Sequence, residues 1–258
     1  MTIALRSTKI VDDIADDAEI IYPDSDGKPM GETGIHVRTI LHLYGALLNF
    51  YHTRQDVYVA ADMFLYYEKG NPRACKTPDV MMIQGVPSSP ERRSFRTWEE
   101  GAMPTVIFEI TSRSTWMEDL VTKSVLYARL GVKEYFLFDP LEEYLENTLQ
   151  GFRLEGHDYE TIPVQDGTLY SEHLGLQMRR EGIFLRLFDP MTGEKVLSYE
   201  EMLMKVDEAE RRAEEESLRA EGEARRAEGE ARRAVAAEAE NLRLRELLAT
   251  YTSKDTDS

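Results

Sequence analysis

One cysteine, Cys75, stands among the 258 residues. That excludes a disulfide framework, and it excludes a zinc site built on cysteine thiolates. No apolar run approaches the roughly 20 residues that a membrane-spanning helix needs. The leading MTIALRSTKIVDDIADDAEI has no basic segment opening into an apolar stretch, so no secretory signal is expected and a soluble, cytoplasmic protein is. The phosphate-loop pattern GxxxxGK[ST], the GxSxG elbow and the HExxH zinc motif are all missing. Five histidines (His36, His42, His52, His157 and His173) are scattered, and His36 and His42, six apart, do not share a helix face, which argues against a histidine-only metal site. Positive charge is also scarce. Lys and Arg number 31 against 48 Asp and Glu, a formal net charge of −17. Affinity for a polyanion rests on lysines and arginines that neutralise phosphates, so this balance disfavours tight, indiscriminate nucleic-acid binding. It leaves room for a local basic groove, and a divalent ion at a site would offset part of the protein's own field.

What is present is enough apolar residue, 42%, to bury a core. Residues 1–31 are acidic and turn-rich and read as a loosely ordered lead-in. From Ile35 the pattern changes: Ile40, Leu43, Leu47 and Phe50 recur at steps of three and four, as on a helix with one buried face. DVYVAADMFLYYE is rich in β-branched and aromatic residues, as strands are. A strand over 80–83 follows Pro78-Asp79, and proline is tolerated at a strand entry. PTVIFEITS is near-continuously apolar, as a strand covered on both faces must be. A helix is expected over 115–130, with Gly131 as its C-terminal cap, then a strand in KEYFLFDP stopped by Asp139-Pro140. From 144 to 198 short strands alternate with turns (GFRLEGHDYETI, QDGTLYSEHLGL, REGIFLRLFDP, MTGEKVLSYE), an antiparallel meander belonging to the same domain. The spacing thus predicts an α/β (α+β) domain over 32–198, with a strand–helix–strand crossover unit against a mixed sheet. A charged helix follows over 199–250. Within it AEGEARR occurs twice, at 220–226 and 227–233, setting an alanine stripe at 220, 224, 227, 231 and 234. Such a helix can stand solvated, pair with itself as a coiled-coil homodimer, or bind another protein. Residues 251–258 read as a disordered tail.

Two carboxylates sit where carboxylates are costly. Asp79 opens an apolar strand and Glu109 lies inside another, and a charge there needs a partner or a metal. If the strands are neighbours, the two can converge on one point at the sheet edge. Two oxygens with room for waters suit Mg²⁺, with Mn²⁺ as a substitute. Lys123 on the following helix is the nearest candidate cation. Each has a plain structural alternative: Asp79 capping a turn, Glu109 in a salt bridge, and Lys123 paired with Asp119 four residues earlier on the helix surface. Arg92, Arg93 and Arg96 form the clearest basic patch of the core, beside Trp98; a solvated loop explains them equally well.

PDVMMI, PTVIFEITSRST and DLVTKSVLYARLGVKEYFLFDP together resemble the Uma-two family of restriction-endonuclease-like proteins, over about residues 32–200. The run Glu109-Ile110-Thr111-Ser112, then Asp119, Lys123, Tyr127, Gly131-Val132 and Glu134-Tyr135, carries the resemblance. It implies a PD-(D/E)XK core, a mixed sheet flanked by helices, and a metal-dependent phosphodiesterase acting on DNA. Asp79 and Glu109 then become ligands of Mg²⁺, and Lys123 joins them as the third catalytic residue. Glu32 or His36 supplies a further acidic or polar group. In that superfamily a lysine stands two residues after the acidic residue; here the place belongs to Thr111. Either Lys123 reaches in from the helix, or catalysis is weakened, leaving a module for nucleic-acid binding or assembly. Ser112 either hydrogen-bonds near the metal or caps the turn into the helix.

Overall fold

The computed structural model describes residues 20–24 and 33–254, with side chains to Glu246. The chain divides after Tyr199 into two units. The three-and-four spacing of the first helical segment yields α1, Gly34–Phe50, capped at its start by the Thr33 hydroxyl, which accepts from the His36 amide at 3.3 Å. Its buried stripe is Leu43, Ala46 and Leu47. Strands β1 Val57–Ala61 and β2 Leu65–Tyr66 come from DVYVAADMFLYYE. After them come β3 Cys75–Lys76, β4 Val80–Gln84, β5 Phe95–Arg96, a single turn α2 Thr97–Glu100, and β6 Val106–Ile110. The helix expected over 115–130 is wound as a π-helical stretch, Glu118–Lys123, that runs into α3, Ser124–Leu130, and Gly131 closes it in the left-handed conformation (φ 84°). Beyond it lie β7 Glu134–Phe138, β8 Leu149–Glu155, β9 Asp158–Thr161, β10 Thr168–Ser171, β11 Leu176–Glu181 and β12 Phe184–Phe188.

Six strands form the central sheet in the order β1-β4-β6-β7-β8-β9. Every neighbouring pair is antiparallel except β6 and β7, which run parallel because the helical segment between them returns the chain to the same end of the sheet. All five residues of β6 and of β7 are buried, which explains why neither reads as an alternating strand. Parity divides them between two cores. Val80, Met82, Val106, Phe108, Phe136 and Phe138 face α1 and the strands β10–β12. Met81, Ile83, Ile107, Tyr135 and Leu137 face Tyr127 of α3, Val132 and the small β3-β2-β5 sheet. The segment expected as one meander is thus split: β8 and β9 extend the central sheet, while β10, β11 and β12 make a second sheet of three. MTGEKVLSYE, expected to contribute strand, forms a turn closed by the Asp189 carboxylate, with one isolated bridge from Phe188 to Lys195.

Part of the expected lead-in is anchored. Tyr22 packs on Tyr66 and Trp98 at 5.2 and 5.1 Å between ring centroids, and the Tyr66 hydroxyl donates to the Pro23 carbonyl at 2.5 Å. Aromatic burial fixes this short piece despite its acidic surroundings. The rest of 1–31 lies outside the described residues.

The second unit is α4, Tyr199–Lys254, 56 residues long or about 84 Å at 1.5 Å per residue. Its side chains are exposed almost throughout. It runs past residue 250, into the segment expected to be tail, because Leu-Ala-Thr-Tyr carries no helix breaker. Ion pairs Arg212–Glu208 at 2.5 Å and Arg219–Glu223 at 3.3 Å join successive turns. The alanine stripe is flanked by glutamates on both sides, Glu214, Glu221 and Glu228 on one and Glu216, Glu223 and Glu230 on the other.

Candidate active site

Strand register brings the two candidate carboxylates together. Val80 pairs with Phe108 and Met81 with Ile107. One step further along the same antiparallel register sets Asp79 opposite Glu109. Both share the parity of Met81 and Ile107, so both lie on the face covered by α3. Residues directly opposite on neighbouring strands have Cβ atoms about 5 Å apart, close enough for two carboxylates to reach one ion. The Asp79 Oδ2 accepts the Ile110 amide at 2.6 Å, which ties Asp79 to the backbone next to Glu109.

The helix supplies three more side chains at intervals of four, Asp119, Lys123 and Tyr127, all turned onto the sheet and all buried. Lys123 Nζ lies 2.9 Å from Glu109 Oε2 and 2.8 Å from Asp119 Oδ1. The Tyr127 hydroxyl donates to Glu109 Oε1 at 3.0 Å. The Tyr135 hydroxyl donates to the Asp119 carbonyl at 2.9 Å, at the π-helical stretch where the backbone ladder is irregular. Lys123 therefore does form the i, i+4 pair with Asp119, but on the buried face, where it also bridges to Glu109. The surface-lysine reading is corrected on that point. His36, at the start of α1, places Nε2 3.5 Å from Asp79 Oδ1.

Two buried carboxylates, Glu109 and Asp119, share one ammonium, and Asp79 stands beside them against His36. Glu109 is 1% exposed, and burial pushes its carboxyl up to about 8; Lys123 opposes the shift, while Asp79 and Asp119 add to it. Asp119 is raised for the same first reason, burial. For Lys123 burial acts downward, but the attraction of Glu109 and Asp119 prevails and holds the ammonium charged well above its ordinary range. Tyr127 is raised far above the usual phenol range, by burial and then by Glu109.

This donor set fits a hard divalent cation. The available groups are the carboxylate oxygens of Asp79, Glu109 and Asp119, with one imidazole nitrogen, His36 Nε2, beside Asp79. Among the described residues, no group of three or more His, Cys, Asp and Glu side chains is arranged to hold a metal alone. Mg²⁺ needs no such cage, since one or two carboxylates with waters and substrate phosphate oxygens complete its octahedron.

The remaining candidates go elsewhere. Thr111 is buried and its hydroxyl donates to the Phe138 carbonyl at 3.3 Å, which fastens β6 to β7 and takes it out of the cluster. Ser112 caps the turn: its carbonyl accepts the amides of Thr115 and Trp116, and its Oγ lies 3.1 Å from those of Ser114 and Thr115. Glu32 lies outside the described residues. The basic patch is neutralised, with Arg92 on Glu100 at 2.7 Å, Arg96 on Glu99 at 3.1 Å and Arg93 on Asp24. Asp119 and Tyr127 are the members that sequence reasoning left out of the site. Their spacing from Lys123 was a visible signal, for a carboxylate, a lysine and a tyrosine at steps of four occupy one helix face. Glu134, fully buried, belongs to a separate structural knot with Arg153 at 2.9 Å, the Ser171 hydroxyl and the amides of Glu172 and His173.

A family model described as "Putative restriction endonuclease", Uma2, matches residues 14–182. Among solved structures, the crystal structure of a "putative nuclease belonging to DUF820" from Anabaena variabilis ATCC 29413 aligns at 14% identity with a TM-score of 0.42, covering 57% of this chain and 76% of that one. No curated protein matches the chain. With more than half of its residues matched by the family model, the chain belongs to the Uma2 family of restriction-endonuclease-like proteins.

Proposed function

We propose that the protein is a Mg²⁺-dependent endonuclease that hydrolyses DNA phosphodiester bonds, with Mn²⁺ able to substitute. The observation that carries this reading is the meeting of Glu109 and Asp119 on a single Lys123, with Asp79 set opposite Glu109 by strand register and tied to the Ile110 amide. Asp79 and Glu109 would hold the cation. When bound, it supplies Lewis acidity, stabilising charge on a phosphate oxygen and easing the deprotonation of water. The chain's own residues do the positioning. Asp119 keeps Lys123 aimed at the cluster, and Tyr127 fixes one oxygen of Glu109 while the other is free to exchange its lysine partner. Lys123 then offers its ammonium to the phosphate, a point charge suited to that task. His36 beside Asp79 is placed to accept a proton. The test is nicking of plasmid DNA by the purified protein with Mg²⁺ or Mn²⁺, abolished by Glu109→Ala. Absence of Mg²⁺ binding in calorimetry would sink the proposal.

Two observations favour a second reading, a nuclease fold with weak or no catalysis that binds nucleic acid or assembles through α4. Lys123 is engaged by two carboxylates, and Thr111 has replaced the superfamily lysine without entering the site. Mg²⁺ binding without any nicking separates it from the first. For α4 we infer a docking role toward another protein rather than self-pairing on the alanine stripe, because two copies would set glutamate against glutamate along both flanks.

A further inference from the structure

A nucleic-acid strand brings its own negative charge to a site that already has a carboxylate excess, so the cations still free to meet it decide how it is held. Near the cluster few are free. Lys123 lies between Glu109 and Asp119, and Lys76 is paired with Glu118 at 2.6 Å. Arg113 differs. It is exposed, it makes no hydrogen bond, ion pair or ring contact among the described residues, and its charge is felt by the Tyr144 phenol. It stands in the turn that joins β6, the strand of Glu109, to the helix of Asp119 and Lys123. That turn is fixed to the cluster by two hydrogen-bonding contacts: Ser112 Oγ lies 3.1 Å from Thr115 Oγ1, and the Asp119 amide donates to the Thr115 carbonyl at 2.9 Å. A guanidinium on so short a tether can bind a phosphate through two parallel N–H donors.

We propose that Arg113 is a substrate-positioning residue that binds a backbone phosphate beside the scissile one. The inference rests on reading the cluster as a phosphodiesterase site. It answers how a chain of charge −17 engages a polyanion, by an exposed arginine in the turn that joins the two elements of the site and not by a broad basic surface.

The test measures binding of a short DNA duplex to the full-length protein with Ca²⁺ in place of Mg²⁺, over a series of salt concentrations. Arg113→Ala is expected to weaken binding roughly tenfold at low salt and to reduce the slope of log K against log salt by about 0.9, one phosphate contact. Arg113→Lys keeps the slope and recovers part of the affinity. Arg129→Ala, which removes an exposed and equally unpartnered arginine at the far end of the same helical segment, changes neither. Unchanged affinity and slope in Arg113→Ala, with the parent protein binding normally, overturns the role of Arg113 alone. Failure of the parent protein to bind the duplex overturns the phosphodiesterase reading and this inference with it. Melting curves of the three variants, expected to match the parent, exclude misfolding as the cause.

Discussion

Replacing Glu109 with glutamine tests the charge imbalance directly. In the metal-free protein the Glu109 carboxyl is raised from about 4.5 to about 8. A carboxyl raised on folding adds stability that is fully present below its unfolded value of about 4.5 and is lost as pH climbs through about 8. Between pH 6 and pH 8 that loss amounts to about 2 kcal/mol, at about 1.4 kcal/mol per pH unit with half of the last unit blunted by the titration midpoint. Lys123 stays charged across this window and contributes no slope. Glutamine mimics the protonated acid at every pH: its carbonyl can accept from Lys123 while its amide donates to a reoriented Tyr127 hydroxyl. The assay is thermal melting in the presence of a chelator at pH 6 and pH 8. The parent protein should lose about 4–8 °C more than Glu109→Gln over that interval. Equal losses in the two proteins would refute the claim that burial, opposed only in part by Lys123, leaves a proton on Glu109.

Mg²⁺ binding should release close to one proton at pH 7, and its affinity should rise about tenfold per pH unit up to pH 8, measured by calorimetry in buffers of different ionisation enthalpy. Lys123→Met leaves Glu109 and Asp119 buried without their cation and should cost about 3–5 kcal/mol in urea unfolding of the metal-free protein, partly restored by added Mg²⁺. Gly151→Ala tests the joint between the two large sheets. A methyl there would sit 2.6 Å from Leu169 Cδ1 and 2.8 Å from Phe136 Cε1, so overpacking should cost about 1–3 kcal/mol with no change in Mg²⁺ affinity. Light scattering of the full-length protein at low ionic strength should give the monomer mass. Any self-association should appear only at high salt or low pH, where the glutamate flanks of α4 are screened or protonated.

Periodicity located α1, β4, β6, β7 and the helical segment between the last two because each has a buried face whose spacing survives in the sequence. It could not say that β10, β11 and β12 leave the central sheet, since the same alternation serves either sheet and the choice depends on which core the inward residues meet. The site was legible in the same uneven way. Asp79 and Glu109 stood out because a carboxylate in an apolar strand demands a partner, and strand pairing then supplied one that no local pattern contains. Lys123 was ambiguous for a physical reason: an i, i+4 pair with Asp119 looks alike on a solvated face and on a buried one, and only the β6 carboxylate across from it distinguishes them. Once that face is buried, the consequence is forced. Asp119 and Glu109 then bring two carboxylates to one ammonium, and the second charge is offset by a proton, as at Glu109, or by a cation. A structural salt bridge would pair its charges one to one, as Arg92 and Glu100 do, whereas Lys123 is shared by two buried carboxylates and Asp79, against His36, is still partly exposed beside them.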